Sequence, residues 1–411
     1  MQKLIYIIVL FSVSIKLYPQ GGSNYSIFGV GDIIYGHTSS AQAMGGTQIA
    51  VPSNNTINIL NPSLWSKIKT TRIQTGYRFN QNVIDNSQDV LLQNNGAMNG
   101  FYSVFNFDTT KEISAGIMFS PLSSVNYYMA APINPNDSAT LGLNGNILYR
   151  GSGGLSNVTL GLGSKIIDGI YIGASFSAII GKVEHCFLTN ITNQYTTNYQ
   201  INNTNIISGF SSNVGIYFEP IKNFGIGAFY NITPKGNIEE RAEYLYDPIL
   251  QLTRDTVITS KTKSELPSFY GAGLSYKTDA ILVAADYMSG NFKNITIFNP
   301  QDQFHNLNRI SVGTILLGNP NPYSSLIART SYKFGLYTEQ LYYNVNGQKI
   351  RENGLTTGFQ FPISRTAQID FSLVFGQRGN LDNGLIKEYF GRMVIDVSIG
   401  DRWFNPIKRE Y

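Results

Sequence analysis

Three histidines, His37, His185 and His305, and one cysteine, Cys186, are the side chains with the widest chemical range in this sequence. His185 stands between Glu184 and Cys186, so carboxylate, imidazole and thiol follow one another and invite a metal site or a thiolate paired with a base. A metal site wants at least three converging ligands, and a nucleophile wants a base that a third group holds in place. The spacing supplies neither, and the plainer reading of the triplet is a solvated cluster on an extracellular strand extension. His305 beside Asn306 has no serine to complete a membrane esterase. G-x-S-x-G, H-E-x-x-H and P-loop patterns are missing, and C-x-x-C is impossible with a single cysteine. The sequence predicts no enzyme, no metal and no cofactor.

Charge chemistry is equally sparse. The net charge is +4, two of those charges (Lys3 and Lys16) fall near the start, and Lys and Arg are otherwise scattered singly apart from Lys408-Arg409. No basic stripe exists for a nucleic acid to follow. Glycine and aromatic residues are what the chain has in quantity: 40 Gly, 24 Phe and 26 Tyr, against 14% charged residues. A soluble surface draws on about 25% charged residues, so part of this exterior must face something other than water.

The elements that position these residues follow from periodicity. Lys3 precedes an apolar run from Leu4 to Val13, too short to span a bilayer and followed by Pro19-Gln20-Gly21-Gly22, which predicts an export signal over 1–20. An oxidising compartment beyond it would leave Cys186 unpaired. From about residue 70 to 400 the pattern has period two. Ile172, Ala174, Phe176, Ala178 and Ile180 alternate with small or polar residues, as do Ile369, Phe371 and Leu373 with Asp370 and Ser372. Strands of this kind have one greasy face. Short connections (167–169, 220–223, 277–279, 363–365) alternate with longer polar stretches predicted as loops (184–204, 235–265, 289–304). Segregated turn lengths, one apolar face and tyrosines near strand ends are the pattern of an outer-membrane barrel, in which a closed sheet leaves no backbone group unpaired in hydrocarbon. About thirteen to fifteen strands are legible, and an even count gives fourteen. The predicted fold is all-β: a transmembrane antiparallel β-barrel over 70–404, with a short charged tail at 405–411.

Residues 21–69 do not alternate. Glycines at 29, 31, 45 and 46 permit tight turns, Pro62 stops regular structure, and the interspersed apolar residues want a wall to pack on. The segment reads as a small N-terminal hatch, or plug, in the barrel lumen.

The ordered stretches Phe28-Gly29-Val30-Gly31-Asp32, Ala43-Met44-Gly45-Gly46 and Asn61-Pro62-Ser63 resemble the hatch of the FadL/TodX family of outer-membrane transport proteins, whose third motif is usually Asn-Pro-Ala. Phe375-Gly376-Gln377-Arg378-Gly379, the run Leu385 to Phe390 and Asp401-Arg402-Trp403-Phe404 resemble that family's C-terminal part. The resemblance implies a fourteen-stranded barrel in the Gram-negative cell outer membrane. Its implied partners are hydrophobic small molecules such as long-chain fatty acids, outer-membrane lipid and the barrel-assembly machinery. The implied function is passive, diffusion-driven uptake of hydrophobic compounds gated by the hatch, with a kink in the third strand opening the wall. Pro121, which cannot donate to a ladder, offers a matching break or a plain strand end. On this reading Phe28 and Met44 contact ligand, Gly45 and Gly46 absorb the backbone change, and Asn61 fixes the turn before Pro62; the alternative is that these residues only pack a static plug. A competing function also stands: a non-transporting barrel acting as adaptor or structural partner of an envelope protein, in a secretion or assembly complex. The lumen separates the two. A continuous apolar cavity under the hatch favours transport, whereas paired polar side chains favour the adaptor.

Overall fold

A computed structural model describes residues 21–35, 38–87, 89–108, 110–133, 144–191, 197–247, 253–293, 295 and 304–402. The export signal, His37, Trp403-Phe404 and the 405–411 tail lie outside the described residues.

The hatch contributes one short strand, β1 (Asp32–Ile33). The wall then runs β2 (Thr71–Asp85), β3 (Val90–Asp108), β4 (Ile113–Pro121), β5 (Ser123–Pro132), β6 (Gly145–Ile167), β7 (Ile170–Ile191), β8 (Thr197–Ile221) and β9 (Phe224–Ile232). It continues with β10 (Gly236–Asp247), β11 (Thr253–Ser264), β12 (Ser268–Lys277), β13 (Ile281–Asn291), β14 (Leu307–Leu316), β15 (Ser331–Val345), β16 (Gln348–Pro362), β17 (Ala367–Gly379) and β18 (Lys387–Asp401). Three of the wall strands are each broken into two segments, β4 with β5, β9 with β10, and β11 with β12, so the barrel has fourteen strands. All pairings are antiparallel, and β18 closes the ring on β2 with Val397 opposite Thr75. No described helix is long and apolar enough to cross a membrane; the crossing is made by strands.

Alternation becomes facing. Along β7, Ile172, Phe176 and Ile180 are exposed on the outer surface while Tyr171, Ser175, Ser177 and Ile179 are buried towards the lumen. On β17, Asp370 and Ser372 are buried, and Ile369, Phe371 and Leu373 stand on the other face. An outward charge near the midplane would cost about 2–4 kcal/mol for Lys or Arg, so the sequence keeps its charges on the inner face.

Two expectations need correction. The described residues of 184–204 and 235–265 are mostly strand and not loop: β7 and β8 stay paired from Ile170↔Phe218 out to Ile191↔Thr197, and β10 and β11 pair with each other while β10 also pairs with β8. Membrane strands need only about 9–11 residues, so these strands rise well beyond the bilayer. With no lipid on the outer face they lose the apolar alternation while keeping the ladder. His185 is likewise not a solvated loop residue; it is buried, with Nδ1 2.7 Å from the Tyr127 hydroxyl.

Candidate functional site

Residues 21–69 lie within the ring of wall strands and are mostly buried, docked at three places. The first is aromatic and sits towards the extracellular end. Phe28 stacks on Tyr343 at 5.1 Å, Tyr25 on Tyr343 at 6.0 Å, and Phe292 on Tyr342 at 4.1 Å. The Tyr342 hydroxyl lies 2.8 Å from the carbonyl oxygens of both Phe28 and Gly31. Offset ring pairs of this kind add about 0.5–1.5 kcal/mol each to the area they bury.

The second contact is backbone against backbone. The turn after the short helix Ser39–Gln42 places Gly45 and Gly46 at φ of 72° and 85°, a conformation that disfavours side chains. That turn presses Met44 on β14 and β15, where a Cβ at Gly313 would fall 2.6 Å from the Met44 carbonyl oxygen and one at Gly335 2.2 Å from its carbonyl carbon. Met44 itself packs on Leu282, Ala284 and Ile315. The turn is also held by Thr356, whose hydroxyl accepts from the Gly45 N–H at 2.8 Å and donates to the Ala43 carbonyl at 2.9 Å.

The third contact is the 3-10 turn Pro62–Lys67, capped by Asn61. Asn61 is fully buried. Its Nδ2 donates to the carbonyls of Ile49 in the hatch (2.9 Å) and Ile216 in β8 (3.0 Å), and its Oδ1 accepts from the Ser63 hydroxyl (2.6 Å). Pro62 lies on two wall glycines: a Cβ at Gly173 would sit 2.4 Å from the Pro62 carbonyl carbon, and one at Gly215 2.1 Å from Asn61 Oδ1. Gly173 and Gly215 are register partners.

Carboxylates of the wall complete the docking by accepting from hatch backbone. Asp286 Oδ2 takes the N–H of Gln48 (2.6 Å) and Ile49 (2.8 Å), and Asp396 Oδ2 takes that of Ser39 (2.6 Å). Buried ion pairs fill the space beside them. Arg378 reaches Asp32 at 2.7 Å and Glu352 at 2.6 Å and donates to the Ser23 hydroxyl at 2.6 Å. Glu388 accepts from Ser23 and from the Asn24 N–H. Arg309 pairs with Glu339, which also accepts from Tyr35, and Lys333 pairs with Asp370. Burial lifts the Asp32 carboxyl above its ordinary value against the pull of Arg378, and burial raises the Tyr25 hydroxyl strongly, with Glu388 adding to it.

Two cavities between hatch and wall, among the described residues, are small. One cavity, lined by Arg78, Arg309, Glu352, Arg378 and Arg392 among others, has about 70 Å³. A second, about 80 Å³, lies beside Pro121 against Leu60, Met118 and Phe229. Ligand pockets usually offer about 300–1,000 Å³. A larger cleft of about 570 Å³ opens at the mouth that carries the short turns, below the hatch.

Pro121 ends β4, and the strand turns at Leu122, whose carbonyl accepts from the Ile34 N–H at 2.8 Å and whose N–H donates to Leu155. Beyond it β5 pairs with β6 and with β1 of the hatch. No described ladder joins β5 to the outer half of β3. Gly21 and Gly22 span that interval through N–H bonds to the carbonyls of Asn94 (3.3 Å) and Asn126 (2.8 Å).

The residues singled out in the sequence thus fall in four places. Phe28 is in the aromatic cluster, Met44, Gly45 and Gly46 are on β14 and β15, Asn61 and Pro62 are on β7 and β8, and Pro121 is at the wall break. Sequence reasoning missed Arg378, Glu352, Glu388, Arg309, Glu339 and Asp286. A signal was available: each is a charge on the inner face of an otherwise alternating strand.

A family model described as BamG matches residues 1–410. No curated protein sequence matches the chain. Among solved structures, a Pseudomonas aeruginosa FadL homologue superposes with a TM-score of 0.60 at 10% identity, covering 90% of this chain and 98% of that one. The Pseudomonas putida toluene transporter TodX gives 0.58 at 12% identity, covering 90% and 100%. The Ralstonia pickettii toluene transporter TbuX gives 0.58 at 15% identity, covering 89% and 98%. At these identities the likeness is one of fold: a hatch-bearing barrel of the FadL type.

Proposed function

The chain belongs to the BamG family, and on that premise we propose that it is a closed, non-transporting outer-membrane barrel that serves as a structural partner of other envelope proteins. The observation that carries this reading is the lumen. Where a channel for apolar compounds needs an open apolar cavity, the lumen of this barrel holds, beside a packed apolar cluster around Phe292, Tyr342 and Tyr343, hydrogen-bonded carboxylates, guanidinium groups and a hatch set on the wall backbone. Moving an apolar ligand past them would require opening buried ion pairs, and removing one partner of such a pair costs about 3–5 kcal/mol. The strands that rise beyond the bilayer offer protein-contact surface with no cost to membrane insertion. The test is a native gel of the outer membrane in mild detergent. The barrel is expected to migrate as part of a larger assembly, lost when the β10–β11 hairpin is replaced by a short turn; migration as a free barrel contradicts the reading.

A second reading has its own observation. The interruption at Pro121 and Leu122, with the adjoining cavity and the absence of a described β3–β5 ladder, is where a hydrophobic compound would leave sideways into the bilayer. On that reading the hatch gates passive uptake of long-chain fatty acids or similar compounds, with Phe28, Met44 and Asn61 at the gate, as expected from the fold shared with the named toluene transporters.

A further inference from the structure

The cleft of about 570 Å³ at the turn-bearing mouth is unlike the sealed lumen above it. Its walls are the underside of the hatch (Val51, Pro52, Asn55), the connection 317–330 between β14 and β15, and the turn after β16. Short turns mark the periplasmic side of an outer-membrane barrel, so the cleft faces the periplasm.

Its chemistry is one-sided. Lys277, Arg329, Lys333 and Arg365 line it, and among the described residues no carboxylate does. Lys333 is committed to Asp370 and Ser40. Lys277, Arg329 and Arg365 make no salt bridge with any described residue. The floor is apolar: Leu282, Ile315, Leu317 and Val51 belong to the cluster around Met44. Pro52, Pro320, Pro322 and Pro362 are also among its lining residues, and their fixed φ angles restrict the backbone around the cleft.

Three cations with no salt bridge to a described residue, around an apolar-floored cleft of ligand size, call for an occupant that carries both carboxylates and apolar groups. We propose that this cleft is a docking site for an extended, acidic and partly apolar peptide segment of a periplasmic partner, with the carboxylates on Lys277, Arg329 and Arg365 and an apolar side chain on Leu282 and Ile315. The proposal rests on the structural-partner reading and gives it a periplasmic contact. Lipid is the rival occupant, because Leu326 and Ile327 of the same connection are exposed and the Ile327 carbonyl accepts from Tyr332 on the strand β15.

The test is fluorescence anisotropy on the full-length protein in detergent. The probe is a labelled pentapeptide Glu-Leu-Glu-Pro-Glu, with Lys-Leu-Lys-Pro-Lys as its counterpart. Saturable binding of the acidic peptide is expected, weakening by about tenfold or more between about 0.01 M and 1 M salt as the Debye length falls from about 30 Å to 3 Å. Charge reversal at all three positions (K277E, R329E, R365E) should abolish it and create binding of the basic peptide, a gain that misfolding cannot produce; Arg365→Lys should retain it. The proposal is overturned by absence of saturable binding, by equal binding of the two peptides, or by displacement of the probe with phosphatidylglycerol nanodiscs at constant ionic strength. If the reversed variant loses the peptide but keeps the native-gel assembly, the cleft is not the partner's seat although the structural-partner reading stands.

Discussion

The guanidinium of Arg378 in β17 lies 2.7 Å from the Asp32 carboxylate of the hatch. The same arginine holds Glu352 of β16 and the Ser23 hydroxyl, so one wall side chain secures the hatch at two points nine residues apart in sequence. Arg378→Ala should leave the buried Glu352 and the half-buried Asp32 without their cation and cost about 3–5 kcal/mol. The expected outcome is a lower unfolding midpoint, read by heat-modifiable migration, together with new protease cleavage between residues 21 and 35. An unshifted midpoint would mean that the network is not what holds the hatch.

The wall glycines give a second expectation. At Gly335 a Cβ would fall 2.2 Å from the Met44 carbonyl carbon, with no left-handed backbone angle to complicate substitution. Gly335→Val should leave β15 able to pair and yet displace the hatch, at about 1–3 kcal/mol or more from overpacking. Ala174→Val, on the lipid face of β7, is the control and should fall within about 0.5 kcal/mol. Equal effects of the two substitutions would contradict docking on the wall backbone.

Asn61→Ala removes the donor to the carbonyl of buried Ile49 and to that of Ile216 in the β8 ladder. The expected loss is about 1–3 kcal/mol. Hydrogen exchange should show faster exchange at residues 61–67 with the wall strands unchanged; protection equal to the parent protein would rule out the anchoring role.

Facing on β17 is checked by cysteine labelling in the Cys186→Ser background. Phe371→Cys should react with a lipophilic maleimide and Asp370→Cys should not, since Asp370 is 1% exposed. The reverse pattern would invert the barrel's inside and outside.

Much of the fold was legible because period two is enforced by lipid on one side and a packed lumen on the other. Ile172 to Ile180 and Ile369 to Leu373 carried that signal in plain view. It failed at Glu184 to Ile191 and at Gly236 to Ser264, where the strands rise past the bilayer and no lipid on the outer face enforces a strict apolar alternation. The hatch glycines and the Asn61-Pro62 pair were visible as backbone punctuation. Their partners were not, because Gly173, Gly335, Asp286 and Arg378 meet the hatch only through closure of the ring, and a lone glycine or charge in a strand does not state what lies across the lumen.

Whether the lumen is closed to hydrophobic compounds is decided by uptake of labelled oleate into cells lacking other fatty-acid transporters, normalised to barrels at the surface. The closed barrel predicts uptake equal to cells without the protein, for the parent chain and for Asn61→Ala alike. Saturable uptake by the parent chain, reduced when the break at Pro121 is altered, would contradict a closed lumen and make the hatch a gate.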